Sequence, residues 1–515
     1  MTRRVFLALS LLLTWSAVTV AQQPAVGAKA VTGPRLAAIF GDNMVLQRGI
    51  AVPVWGWAQP GEAITVTFRD QKKVATAAPC GKWMAKLDPM EAGGPFEMTV
   101  AGPSGSVTLK NVLVGEVWIC SGQSNMEWSL SGAHNAKEAI ANSANPMLRH
   151  FGLQKASAPV PLADCNGRWE EADPKTSGRF TAVGYFFGEK LQKELKVPVG
   201  LIHTSWGGTA IEAWTSLKAT EADPALKGIA DGARARVKAA EAEWQKHLEE
   251  AAAARREGKL VPATPKQPGP VPTALYNAMI APIVPYGIAG AIWYQGESNA
   301  GNAKLYQKQM PGMIKNWRED WGQGEFPFFM VSLANFMARI NVPTDTAWAR
   351  LREAQAMTTQ NTPKVGVAIA IDVGDAKDIH PRDKQSVGQR LALNALAIAY
   401  NKPIVYSGPV YESMKVDGAK ACLKFKHVGG GLVAKGEKLT GFAIAGEDKK
   451  FVWADATIEG DTVVVSSKEV AAPVAVRYAW ADNPECNFYN KEGLPAVPFR
   501  TDTWEAPPPA PAKKR

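Results

Sequence analysis

Cysteine and histidine are both scarce in this chain, which carries five of the first and six of the second in 515 residues. Cys80, Cys120, Cys165, Cys422 and Cys486 are too few and too scattered for a disulfide framework. An oxidising compartment would permit one or two bridges, but the odd count leaves a thiol over. None of the five has the paired spacing of a zinc site. Long apolar runs are missing as well, with one exception at the start, MTRRVFLALSLLLTWSAVTVAQQ. There Arg3 and Arg4 precede about a dozen apolar residues, and small residues occupy positions 19–21, the order of an export signal spanning 1–21. The run is short for a bilayer and no second one follows, so the expectation is an exported chain, periplasmic or extracellular, with no membrane span. Charge of one sign is nowhere concentrated. The net charge is +10, yet basic residues are dispersed, densest in the signal, near Arg255 and at 513–515. That dispersion argues against a nucleic-acid partner. No internal repeat of fixed period occurs.

What the chain does have is length, 46% hydrophobic residues and 17 tryptophans. So long a chain exceeds one core, and two or three domains are expected. Residues 36–111 alternate short apolar runs such as VPVWGWA and FEMTVAG with Pro and Gly turns, which predicts a small antiparallel β domain. From 112 to 404 the grammar changes. Continuous apolar segments (VGEVWIC, VGLIHTSW, AGAIWYQG, FPFFMVSL, VGVAIAIDV) alternate with helix-like stretches at 186–195, 305–317 and 384–400. Strands that are apolar at every position are buried on both faces, so this pattern predicts an α/β core with a helix-covered parallel sheet. An Ala- and charge-rich stretch with a Pro-rich return, about 219–270, predicts a helical insertion. Residues 405–504 return to strands and turns, a second β module, and 505–515 (APPPAPAKKR at its end) read as a disordered tail.

In a parallel sheet, loops converge only at the strand ends, so chemistry is sought there. Three strand ends carry polar clusters: SGQSN at 121–125, TSWGGT at 204–209 and YQGESN at 294–299. A fourth segment, IDVGDAKDIHPRDKQ at 371–385, sets His380 among carboxylates. Acyl transfer needs a hydroxyl, an imidazole, a group that orients the imidazole, and donors for an oxyanion. Ser124, His380 and Asp378 fill the first three roles. The N–H groups of Ser124 and Gly208 and the amide of Gln295 are candidates for the last. Pro381 biases His380 toward extended backbone, in which an Asp two residues earlier can reach its Nδ1.

GQSNM, SWGGT leading into IEAW, WYQGESN and DIHPRDKQ resemble the sequence blocks of SGNH (GDSL-type) hydrolases, and within them the sialate O-acetylesterase family of carbohydrate acetylesterases. The likeness extends from DNMVLQR at 42–48 to AVRYAW and NKEGLPAVPFRTD at 490–502. It implies a three-layer, flavodoxin-like SGNH core flanked by N- and C-terminal β domains. It also implies a serine esterase that removes O-acetyl groups from sugars through an acetyl-serine intermediate. By the same resemblance Ser124 matches the nucleophile, His380 the histidine, and Gly208 with Gln295 the oxyanion donors. Asn125, Trp206, Glu297 and Asn299 are expected to bind substrate, with Glu297 and Asn299 holding the loop as the other role the likeness allows. Many SGNH enzymes carry Asp three residues before His, where this chain has Lys377. That departure leaves Asp378, Asp375, Asp372 or a Ser–His dyad open. No metal or cofactor is expected, since N–H donors polarise the ester carbonyl. Arg179, Arg339 or Arg352 could meet a sialic acid carboxylate, and Trp206, Trp214 or Trp293 could serve as platforms for neutral plant glycans such as xylan or xyloglucan. The competing expectations are an inactive carbohydrate-binding protein and a lipid or thioester hydrolase.

Overall fold

The computed structural model describes residues 33–257 and 259–505. The expected signal at 1–21 and the tail beyond 505 lie outside the described residues. The core sheet is built around one strand of 18 residues, Gly105–Gly122. Strands Val199–Ser205 and Gly290–Tyr294 flank it in parallel, with Asn145–Leu153 beyond the first, and Phe328–Val331 and Val365–Ala368 beyond the second. Gly167–Ala172, at the edge, runs antiparallel to its neighbour Asn145–Leu153.

Successive residues of these strands point to opposite faces, and each face has its own core. Val117, Ile119 and Trp293 pack with Trp214, Met313 and Trp317, whereas Trp118, Cys120 and Ile292 pack with Phe187, Leu391 and Val387. Helices Ala303–Trp321 and Ala347–Asn361 cover the first face; Ala182–Leu195 and Lys384–Asn394 cover the second. These are the three layers expected, and they explain why the central strands Gly290–Tyr294 and Phe328–Val331 are buried at every position. The 384–400 stretch is helical to Asn394 and then relaxes into a π turn over Ala395–Ala399.

The long strand does more than centre the core. Its first half pairs antiparallel with Gly93–Gly102 and parallel with Val45–Gln47. The N-terminal β region and the core therefore share one strand, with no linker where the sequence suggests a break near 111. The insertion is a 30-residue helix, Lys227–Arg256, with few buried side chains. The C-terminal region folds into small antiparallel sheets around a separate apolar cluster that includes Leu423, Ile444 and Tyr478. All five cysteines are free. Among the described residues no helix is long and apolar enough to cross a membrane.

Candidate active site

The central strand stops at Gly122 because the chain must turn there against its neighbour. Gly122 has φ +133, and a Cβ on it would lie 2.2 Å from the carbonyl oxygen of Tyr294, so only glycine fits. The turn leads directly into a one-turn helix, Ser124–Glu127, whose first residue is Ser124. At that position the backbone N–H has no carbonyl one turn back to bond.

The side chains of this turn bind the other three loops. Gln123 Oε1 accepts from the N–H groups of Gly296 and Ser298 at 3.3 and 3.4 Å. Glu127 Oε2 accepts from the Gly207 N–H at 2.6 Å. The backbone there is so close that a Cβ on Gly207 would sit 3.2 Å from that of Ser124, and the next amide along the chain belongs to Gly208, an exposed residue with φ +73. Asn125 Nδ2 donates to Glu297 Oε1 at 2.6 Å and to the Ile379 carbonyl at 3.1 Å.

Against this frame Ser124 Oγ lies 2.9 Å from His380 Nε2. The imidazole stacks on Trp128, with ring centroids 5.1 Å apart and an interplanar angle of 22°. On its far side Nδ1 is 3.3 Å from Asp378 Oδ1, and the same oxygen accepts the His380 backbone N–H at 2.9 Å. Asp383 caps the following helix through the Ser386 N–H at 2.9 Å, which fixes where the loop ends.

The remaining candidate residues lie in several distinct places. Asp372 is paired through both oxygens with Arg390, and Asp375 Oδ1 accepts from the Lys377 and Asp378 N–H groups, so neither carboxylate meets the imidazole. Gln295 is fully buried and donates inward, to Thr209 O at 3.2 Å and Asn299 Oδ1 at 2.7 Å. Both amide hydrogens are thereby used, and Gln295 braces the loops where the sequence pattern suggests an oxyanion donor. Asn299 is bonded to the Ile211 N–H and to Glu212, Asn125 is buried, and half-buried Glu297 accepts from Asn125, so the contacts found for all three hold loops where substrate binding is expected. Trp206 is half-buried beside the site, with Lys155 Nζ 5.5 Å from its ring centre. Trp214 and Trp293 are completely buried and offer no platform. Arg352 is buried too and donates to the carbonyls of Leu333, Ala334, Ala481 and Asp482; Arg179 and Arg339 are paired with Glu170 and Glu485.

Sequence reasoning missed Trp128, Glu127 and Lys384. The only available signal was spacing: Trp128 and Lys384 each lie four residues, about one helical turn, beyond Ser124 and His380. Lys384 is buried between the rings of Trp128 and Tyr294, and that burial pushes its ammonium down to about 7 against the pull of Glu297. Burial likewise raises the Glu297 carboxyl, partly offset by the Asn125 hydrogen bond and by Lys384.

A hydroxyl and an imidazole at bonding distance, at the carboxyl ends of a three-layer parallel sheet, are the groups that acyl transfer requires, and likeness to known esterases makes the class a carboxylic ester hydrolase. A family model described as a carbohydrate esterase, sialic acid-specific acetylesterase, matches residues 114–245 and 264–397. Rat sialate O-acetylesterase is 32% identical over 91% of this chain and 94% of its own. The human sialate O-acetylesterase is 30% identical over 91% and 92%. The crystal structure of a carbohydrate acetylesterase from Xanthomonas citri is 40% identical, with a TM-score of 0.80 over 92% of this chain and 100% of that one. The chain belongs to the sialic acid-specific acetylesterase family of carbohydrate esterases, whose reaction is sugar O-deacetylation.

Proposed function

We propose that the protein removes O-acetyl groups from sugars with Ser124 as nucleophile and His380 as general base. His380 Nε2 takes the Ser124 proton as Oγ attacks the acetyl carbonyl, then returns it to the departing sugar hydroxyl. Asp378 holds Nδ1 and favours the imidazolium formed. The N–H groups of Ser124 and Gly208 receive the developing oxyanion. Water activated by the same imidazole then hydrolyses acetyl-Ser124. The observation that carries this reading is the 2.9 Å separation of two atoms whose residues are 256 positions apart in the chain.

For the sugar, none of the three arginines considered offers an unpaired guanidinium to a carboxylate. Half-exposed Trp206, in contrast, lies beside the nucleophile turn and offers an aromatic ring to a pyranose, whereas Trp128 is stacked on the imidazole. That contrast favours neutral acetylated glycans as a second reading beside acetylated sialic acid. The N-terminal 21 residues are read as an export signal, which would place the enzyme in the periplasm or outside the cell.

Acetate release from acetylated sialic acids, xylan and xyloglucan tests both parts. Ser124→Ala is expected to lower kcat by at least about 10³-fold on whichever substrate is used. A variant as fast as the parent would overturn the assignment.

A further inference from the structure

The Asn125 side chain lies beneath the reacting pair with 1% of its surface exposed, so it cannot touch substrate. Its amide is spent in three directions. Nδ2 donates to Glu297 Oε1 at 2.6 Å and to Ile379 O at 3.1 Å, and Oδ1 accepts from Lys384 Nζ. Asn125 follows the nucleophile in the chain, Ile379 precedes the imidazole, and Lys384 opens the helix that leaves the imidazole loop. Apart from the Ser124–His380 bond itself, the hydrogen bonds that join residues 123–128 to residues 372–384 both end on Asn125.

The polarity of this arrangement admits one orientation. An ammonium can only donate, so the amide oxygen must face Lys384; a carbonyl can only accept, so the NH2 must face Ile379. Flipping the amide would break these bonds inside a buried site, where an unmet donor or acceptor is expensive. Lys384 and Glu297 are linked through the amide, and the pair carries no net charge when both are ionised or both neutral. Either state tolerates burial better than one lone charge.

We propose that Asn125 is a positioning residue of the reaction, a clamp held between Lys384 and Glu297 that keeps the imidazole loop at bonding distance from the nucleophile turn. The proposal rests on the Ser124–His380 reading above. The clamp makes no contact with the ester and moves no proton. Its effect is on geometry, where displacement of a reacting group by about 1 Å costs about 10²-fold in rate.

The test uses the full chain with 4-nitrophenyl acetate. Asn125→Asp keeps the shape and the Lys384 contact but turns an acceptor toward Glu297 and Ile379 O; Lys384→Met removes the other pole. Each is expected to lower kcat about 10- to 100-fold with KM within about threefold, and the double variant is expected to be no slower than the slower single one. Wild-type kcat in Asn125→Asp, or effects that multiply in the double variant, would overturn the clamp. If Lys384→Met fails to give the parent's circular dichroism and melting curve, the isosteric Asn125→Asp decides alone. Ser124→Ala, measured in parallel, separates the two ideas. Parental activity there removes the site reading, whereas an inactive Ser124→Ala beside a fully active Asn125→Asp removes only the clamp.

Discussion

At the scale of single residues, the orienting carboxylate is the least conventional part of the site. Asp378 is two residues from His380, and its Oδ1 divides its attention between the ring Nδ1 at 3.3 Å and the backbone N–H at 2.9 Å. Its side chain is 41% exposed, so water competes for the charge and weakens its hold on the imidazole. A fully buried triad aspartate is worth about 10⁴-fold in rate; Asp378→Asn is expected to cost less, about 10- to 10³-fold in kcat. Asp375→Asn should change kcat by less than that, because the Asp375 carboxylate faces backbone N–H groups. A steady-state comparison of the two variants with one aryl acetate checks the ranking, and a larger loss for Asp375→Asn would reassign the orienting role.

Among the elements, the helix Lys227–Arg256 stands apart. It buries only Ala230, Ala233 and Ala251, while Trp244 and Leu248 are well exposed on its outer half. The family match breaks off at 245 and resumes at 264, so this outer part is where the chain departs from the family pattern. A helix held by so few buried contacts contributes little to the core. Replacing residues 246–263 with a Gly-Ser linker of equal length is expected to leave kcat within about twofold of the parent and to reduce helical circular dichroism. A loss of activity of tenfold or more would mean that the insertion shapes the site. Of the six parallel core strands among the described residues five were legible, because burial on both faces made them continuous apolar segments; the sixth, Asn145–Leu153, carries Arg149 and His150 and shows no such run.

Over the whole molecule, acid stability is expected to depend on two packed histidines, buried His150 and half-buried His203. His150 stacks on Phe180 with ring centroids 4.3 Å apart and its Nε2 has no partner; His203 lies 5.4 Å from it. Burial holds His203 down to about 4 from an ordinary 6.5, and lowers His150 well below that ordinary value too, aided by its neighbours His203 and Arg179. Both are therefore neutral in the folded state below the pH at which the unfolded chain takes up protons. Their contribution to stability is complete above about 6.5 and is lost as pH falls from there toward 4, with His203 contributing a slope of up to about 1.4 kcal/mol per pH unit and His150 adding to it in the same direction. Urea midpoints measured between pH 7 and 4.5 should fall accordingly, and His203→Gln should flatten the slope. Midpoints constant over that range would contradict the assignment.

The sequence by itself determined the elements and the order of the four polar loops. Apolar periodicity, turn residues and the GQSN, SWGGT, WYQGESN and DIHPRDKQ blocks are local properties, written within a few residues of one another. Which groups meet is a different matter, because it depends on contacts between segments hundreds of residues apart. Asp378, Asp375 and Asp372 are equivalent as letters, and only the path of the loop turns one toward the imidazole and another toward Arg390. Gln295, Arg352 and Trp293 looked available for chemistry and prove to be enclosed, since burial is a property of the packed molecule. Beyond its spacing from His380, Lys384 gave no sign of its role, because a lysine becomes a buried partner of Asn125 only when the helix that carries it packs against the nucleophile turn.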